Sequence, residues 1–409
     1  MHTLVRPLRN LLCCGLCLSA AMTQAESGFV PEQSYVEVLE DYQQQDWFWV
    51  WGNNAPTMVD GRAYLFADDG RNLGQLNTGT WPGDLVMSHR RAELYAAEIY
   101  FSRGVRGTRE DVVTVYDART LSPKAEIAIP PKRMTAMVSS GLSVLSDDER
   151  FLLVLNFTPA ASISVVDVEQ QRFVGEVAIP GCASIYPAGP RDFYAICGNG
   201  GFFHLRLDDQ GEVALQQRTA PLFDPLQDLL LTPASRRGVT WYFVSQQNYA
   251  WGLQMTAEGA ERRQHWSLVT DEERADGWGV AGNHGTAIHQ QSGRLFVLMH
   301  KDVPENYQKP GTEVWVYDLQ SEQRIARIEL EAHSTAIGVS QGSEPRLYSL
   351  DWVVPMPALF TAWIYMTAGE DGLMPLMRQG INLYDADSGE HLRSIGDLPV
   401  GYLNKVVAW

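Results

Sequence analysis

Five cysteines and nine histidines are the residues of this 409-residue chain best suited to redox, metal or nucleophilic work, so their spacing is the first thing to weigh. Cys13, Cys14 and Cys17 sit in the apolar run 11–18, and their C-x-x-C spacing carries no redox meaning if that run is removed during export. That leaves Cys182 and Cys197, an even pair that reads as one disulfide in an oxidising compartment, with two buried thiols as the alternative. Closing a loop of that length contributes about 3 kcal/mol in the chain-entropy description. His284, His289 and His300 follow no recognised metal-ligand spacing and read as turn or core histidines. Gly277, Gly279 and Gly282 match a dinucleotide-type glycine spacing but lack its strand, helix and later acidic residue, so no phosphate cradle is expected. No catalytic, cofactor-binding or metal-binding residue is assigned in this chain.

The acidic residues speak for architecture instead. Asp117, Asp167, Asp318 and Asp385 each end an apolar run and precede polar turn residues, a placement in which the carboxylate accepts nearby backbone N–H bonds. The interval from 117 to 167 is 50 residues, the next is close to three such intervals, and the last is longer. Between them lie second β-type runs at 92–95, 150–155, 191–195, 240–244, 294–298 and 346–350. A period near fifty with room for four strands predicts an all-β fold, a seven-bladed β-propeller with four antiparallel strands per blade, eight blades being the alternative count. The segment Trp47-Phe48-Trp49-Val50-Trp51 puts three tryptophans on one face and Phe48 and Val50 on the other, which predicts a strand covered on both sides.

Domain limits follow from composition. Arg6 and Arg9 precede the apolar run, and small residues lead to Ala25, so residues 1–25 read as a secretory signal and the mature protein as exported. Residues 26–45 form an N-terminal arm, and 46–409 a single propeller with an insertion at about 351–380. That insertion carries Trp352, Phe360, Trp363 and Met366 among other apolar residues, too many for a freely solvated loop. With 32 basic and 49 acidic residues the net charge is −17, which argues against nucleic acid as a partner.

Several colinear segments carry a family resemblance. Phe101-Ser102-Arg103-Gly104-Val105-Arg106-Gly107-Thr108-Arg109, Pro130-Pro131-Lys132-Arg133, Gly181-Cys182-Ala183-Ser184-Ile185-Tyr186-Pro187, Ala195-Ile196-Cys197-Gly198-Asn199-Gly200-Gly201 and His289-Gln290-Gln291-Ser292-Gly293-Arg294 resemble the large subunit of the quinoprotein amine dehydrogenases that act on methylamine and aromatic amines. The resemblance spans about residues 45–400. It implies a periplasmic large subunit in an assembly of two large and two small subunits. The small subunit carries the tryptophan tryptophylquinone cofactor and the catalytic aspartate base, and electrons pass to a blue copper protein of amicyanin or azurin type or a similar acceptor. It also implies that primary amines become aldehydes and ammonia, and it pairs Cys182 with Cys197. The density of the match around Phe101, Arg103 and Arg106 marks these residues as the candidate small-subunit interface. The family's substrate-channel aromatic has no clear counterpart within Gly52-Asn53-Asn54-Ala55-Pro56-Thr57. A non-enzymatic periplasmic propeller used for binding or assembly is the alternative function.

Overall fold

In the computed structural model, described residues are 38–39, 47–53, 60–81, 83–133, 139–301, 308–353, 360, 363–364, 366–367, 378–396, 398 and 402–408. The signal 1–25, nearly all of the arm 26–45, the channel segment 54–57 and most of the insertion fall outside them.

Short β-branched and aromatic runs separated by turn residues become strands in chain order. β1 (Trp47–Asn53), β2 (Gly61–Ala67) and β3 (Asn72–Asn77) are followed by the sheet of β4 (Leu85–Ser88), β5 (Glu93–Phe101), β6 (Arg109–Asp117) and β7 (Pro123–Ile129). Next comes the sheet of β8 (Ser143–Leu145), β9 (Phe151–Asn156), β10 (Ser162–Asp167) and β11 (Arg172–Ala178). A third consists of β12 (Cys182–Pro187), β13 (Asp192–Cys197), β14 (Phe202–Leu207) and β15 (Val213–Arg218), and a fourth of β16 (Ser235–Arg237), β17 (Thr240–Val244), β18 (Tyr249–Met255) and β19 (Ala260–Ser267). After the one-turn helix α1 (Asp271–Ala275) come β20 (Gly279–Val280), β21 (Thr286–His289), β22 (Arg294–His300), β23 (Gly311–Asp318), β24 (Gln323–Val339), β25 (Arg346–Val353), β26 (Arg378–Asp385) and β27 (His391–Ile395). These eight strands form a single sheet. The last strand, β28 (Tyr402–Ala408), pairs antiparallel with β1 and completes the first sheet.

The propeller therefore has five four-stranded blades and one eight-stranded sheet, which corrects the expectation of seven separate blades. The reason lies in β24, a 17-residue strand whose first half pairs with β23 and whose second half pairs with β25. Ser334 sits at the handover, opposite Gly311 on one side and Asp351 on the other. Elsewhere the passage from one sheet to the next contains glycine or proline, as in Thr78-Gly79-Thr80-Trp81-Pro82-Gly83 or Ile179-Pro180-Gly181. These residues interrupt the hydrogen-bond ladder. The stretch Ile328-Glu329-Leu330-Glu331-Ala332-His333-Ser334 has neither, and the ladder runs through.

Apolar side chains pack between neighbouring sheets rather than within one. Trp47, Trp49 and Trp51 join a cluster with Leu85 and Leu94 of the next sheet, while Phe48 and Val50 on the opposite face pack with Tyr348 and Leu383 of the preceding one. The strand is thus covered on both sides. The repeated aspartates are turn acceptors: Asp117 Oδ1 accepts from the backbone N–H groups of Arg119 and Thr120, Asp318 Oδ1 from Gln320 and Ser321, and Asp385 Oδ1 from Asp387 and Ser388. The disulfide Cys182–Cys197 joins directly opposed residues of β12 and β13.

Candidate functional site

First strands of the sheets line a central cavity of about 470 Å³, and they run in the same sense, as the parallel bridge between His284 and Ala336 shows. In an up-and-down sheet, the connection into the first strand and the loop between the second and third strands emerge at one end. Here that end carries the loop 102–108, the described residues 131–133 and 139–142 of the connection into β8, and the entering segment 219–234. The opposite end is closed by short turns such as 118–122 and 319–322, held by the aspartates described above. The end with the long connections is the wide end, and it is the candidate site.

The hairpin between β5 and β6 brings the three sequence-predicted interface residues there. Phe101 ends β5, and its ring meets the edge of Trp81 at 5.9 Å. Beyond it, residues 102–108 are exposed, with Arg103 and Arg106 flanking the turn Gly104-Val105. The turn is closed by the Arg103 N–H donating to the Arg106 carbonyl at 3.0 Å, and its neck by the Ser102 N–H donating to the Thr108 carbonyl at 3.0 Å. The Thr108 N–H donates in turn to Ser102 Oγ at 3.1 Å. Gly107 has φ 101°, and a Cβ there would lie 2.4 Å from Ser102 Oγ, so glycine is required.

Two buried polar clusters fix the base of this hairpin. Arg109 clamps Asp111 in bidentate fashion at 2.6 and 2.7 Å, and Asp111 also accepts from the Arg133 N–H at 3.2 Å. Buried Arg133 donates to the carbonyls of Thr80 at 3.3 Å and Trp81 at 2.7 Å, tying the connection 78–84 to the hairpin. Burial pulls its guanidinium down to about 10, against the opposing field of Asp111. On the other side, fully buried Glu98 is contacted by the hydroxyls of Tyr100 at 2.9 Å, Tyr116 at 3.0 Å and Thr114. Burial raises its carboxyl pKa, and the three hydroxyls partly offset the rise.

In the cavity wall, Lys405 of β28 pairs with Asp84 at 2.8 Å and lies 4.9 Å from the centre of the Trp51 ring. Burial raises the Asp84 carboxyl pKa, while Lys405 and the backbone N–H groups of Leu142 and Ser143 lower it. This one carboxylate links three sheets. The histidines of the sequence disperse: His289 ends β21, His284 lies before that strand in a parallel bridge to Ala336, and His300 pairs with Gly279. His289 is within 2.8 Å of Ser292 Oγ and donates through Nε2 to the Gly342 carbonyl at 3.0 Å, a structural arrangement. Among the described residues no group of three or more histidine, cysteine, aspartate or glutamate side chains is arranged to hold a metal ion.

Spacing could not reveal the Glu98 and Arg133 clusters, because Glu98, Thr114 and Tyr116 meet only through β5–β6 pairing. A signal was present for α1, where Thr270-Asp271-Glu272-Glu273 is a capping box: the Glu273 N–H donates to Thr270 Oγ1, and the Thr270 N–H donates to the Glu273 carboxylate.

A family model described as methylamine dehydrogenase heavy chain matches residues 54–362. The heavy chain of Methylophilus methylotrophus methylamine dehydrogenase is 27% identical over 360 residues, covering 83% of this chain and 86% of that one. Its counterpart from Paracoccus versutus is 31% identical over 335 residues, covering 81% of this chain and 72% of that one. Among solved structures, a dihydro-heme d1 dehydrogenase is similar with a TM-score of 0.51 and 14% identity, over 93% of this chain and 78% of that one, a likeness of fold alone.

Proposed function

From the premise that the chain belongs to the methylamine dehydrogenase heavy-chain family, we propose that it is the large subunit of a periplasmic quinoprotein amine dehydrogenase. Its wide end seats a small subunit in an assembly of two large and two small chains. The carrying observation is that the family match over 54–362 runs from β2 through β25, most of the ring, and includes the hairpin of Phe101, Arg103 and Arg106.

On this reading the tryptophan tryptophylquinone belongs to the partner. When present it supplies an electron sink for oxidising a primary amine to aldehyde and ammonia, with electrons leaving to a blue copper protein or a similar acceptor. Trp278 and Trp315 of this chain approach within 5.2 Å between ring centres, but Arg327 lies 4.8 and 4.6 Å from those centres, a cation–π packing cluster unsuited to a cross-linked pair. The large chain contributes rigidity. Asp84, Arg133 and Glu98 fix the connections that form the wide end, so a docked active site is held in one geometry and shielded from water.

Isolation of the native complex tests this. A quinone-bearing partner that co-purifies and whose absorbance is bleached by a primary amine, with no such response from the large chain alone, is the expected result. Recovery of the chain without such a partner would favour a binding or assembly module instead.

A further inference from the structure

Arg103 and Arg106 stand apart from the other described arginines. Among the described residues their side chains make no hydrogen bond, ion pair or ring contact, whereas every other described arginine is engaged by at least one hydrogen-bond, ion-pair, ring or electrostatic contact. On a chain with 49 acidic and 32 basic residues, two guanidiniums on one four-residue turn form a cationic tip lacking an internal counter-ion. Val105, 57% exposed, sits between them. The tip is not a loose loop. Its neck bonds, the Arg109–Asp111 clamp and the Trp81–Phe101 contact hold it in place, so little ordering cost remains on binding.

We propose that this tip docks into a socket on the quinone-bearing subunit that carries carboxylates around an apolar centre, with Arg103 and Arg106 pairing the acids and Val105 filling the centre. The inference rests on the large-subunit reading and adds the chemistry of the contact. Guanidinium forks suit bidentate carboxylate recognition, and unpaired charge on a rigid tip governs encounter rate and salt dependence more than it governs burial. The field of the acidic body repels an acidic partner elsewhere, so the tip also fixes orientation.

The test uses the native complex, separated into subunits and recombined, with affinity measured from low to high salt. R103Q/R106Q should weaken recombination about tenfold at low salt and flatten the dependence of affinity on ionic strength. R103E/R106E should weaken it further, and R103K/R106K should keep most of the salt slope. R71Q/R172Q, which removes two positive charges from turns at the opposite end, should change nothing. Unchanged thermal midpoints establish that the variants fold. If the quinone subunit binds and R103Q/R106Q matches the unaltered chain at low salt, the inference is overturned while the large-subunit reading survives. Retention of the chain on phosphatidylglycerol vesicles, abolished by R103Q/R106Q with recombination untouched, would overturn it in favour of a lipid surface. Absence of any quinone-bearing partner removes the premise itself.

Discussion

Asp351 is fully buried in β25, where its Oδ2 accepts from Ser349 Oγ at 2.8 Å and Asn382 Nδ2 at 2.6 Å, while Oδ1 has no hydrogen-bond partner among the described residues. Burial pushes its carboxyl up to about 6, with Asn382 and Ser349 pulling the other way. Because the folded state keeps this proton to higher pH than the unfolded state, its contribution to stability is full below the unfolded pKa and is lost as pH rises from about 4 to about 6. A rise of about two units corresponds to about 3 kcal/mol. D351N removes the titration, so in urea melts its stability relative to the unaltered chain should climb by about that amount between pH 4 and pH 7 and then level off. A flat difference across this range would refute the assignment. The Cys182–Cys197 bridge invites a second measurement: C182S/C197S should lose about 3 kcal/mol of unfolding free energy, and a reductant should bring the unaltered chain to the same value. At this scale the sequence was informative where chemistry is local. Two cysteines left after the signal region imply a bridge, and Asp117 or Asp385 serves backbone groups two or three residues away. It was silent on Asp351, whose partner Asn382 lies 31 residues away and meets it only through β25–β26 pairing.

Elements carry the next lesson. Lys405 belongs to the closing strand β28, Asp84 precedes β4, and Asp84 also holds the start of β8 through the Leu142 and Ser143 N–H groups. K405M strands a buried carboxylate and should cost about 3 kcal/mol or more, whereas D84N/K405M should recover part of that loss. Thermal unfolding of the two variants checks this. If the double variant is no better than the single one, the pair is not coupled. Strand positions were readable from apolar runs such as Phe151–Asn156 and Arg294–His300, whose composition leaves little alternative to β structure. The joining of β24 was harder to foresee. Repeat spacing counts blades but does not say whether the ladder stops between them, and that depends on the lack of glycine and proline from Ile328 to Ser334. Likewise, the capping box of α1 was written in Thr270 and Glu273, yet a single helical turn leaves no periodicity to notice.

For the whole molecule, the two ends of the ring divide the labour. Short aspartate-capped turns finish one end, and the other carries the long connections and the unpaired arginine tip. The family match fixes which lineage built this ring, while the connections are where packing constrains sequence least. The candidate interface residues Phe101, Arg103 and Arg106 could be put forward from the sequence because they form one continuous stretch. The polar clusters beneath them are assembled from sheet neighbours and required coordinates.

The pairing of β28 with β1 sets an order of events during folding. β1 is followed at once in sequence by its outer neighbours β2 and β3, but the innermost strand of that same sheet comes after all the other sheets. Until residues 402–408 pair with β1, Val50 and Trp51 have a vacant edge beside them, so the first sheet is completed late in folding. Loss of residues 402–408 would therefore do more damage than the removal of one short strand suggests.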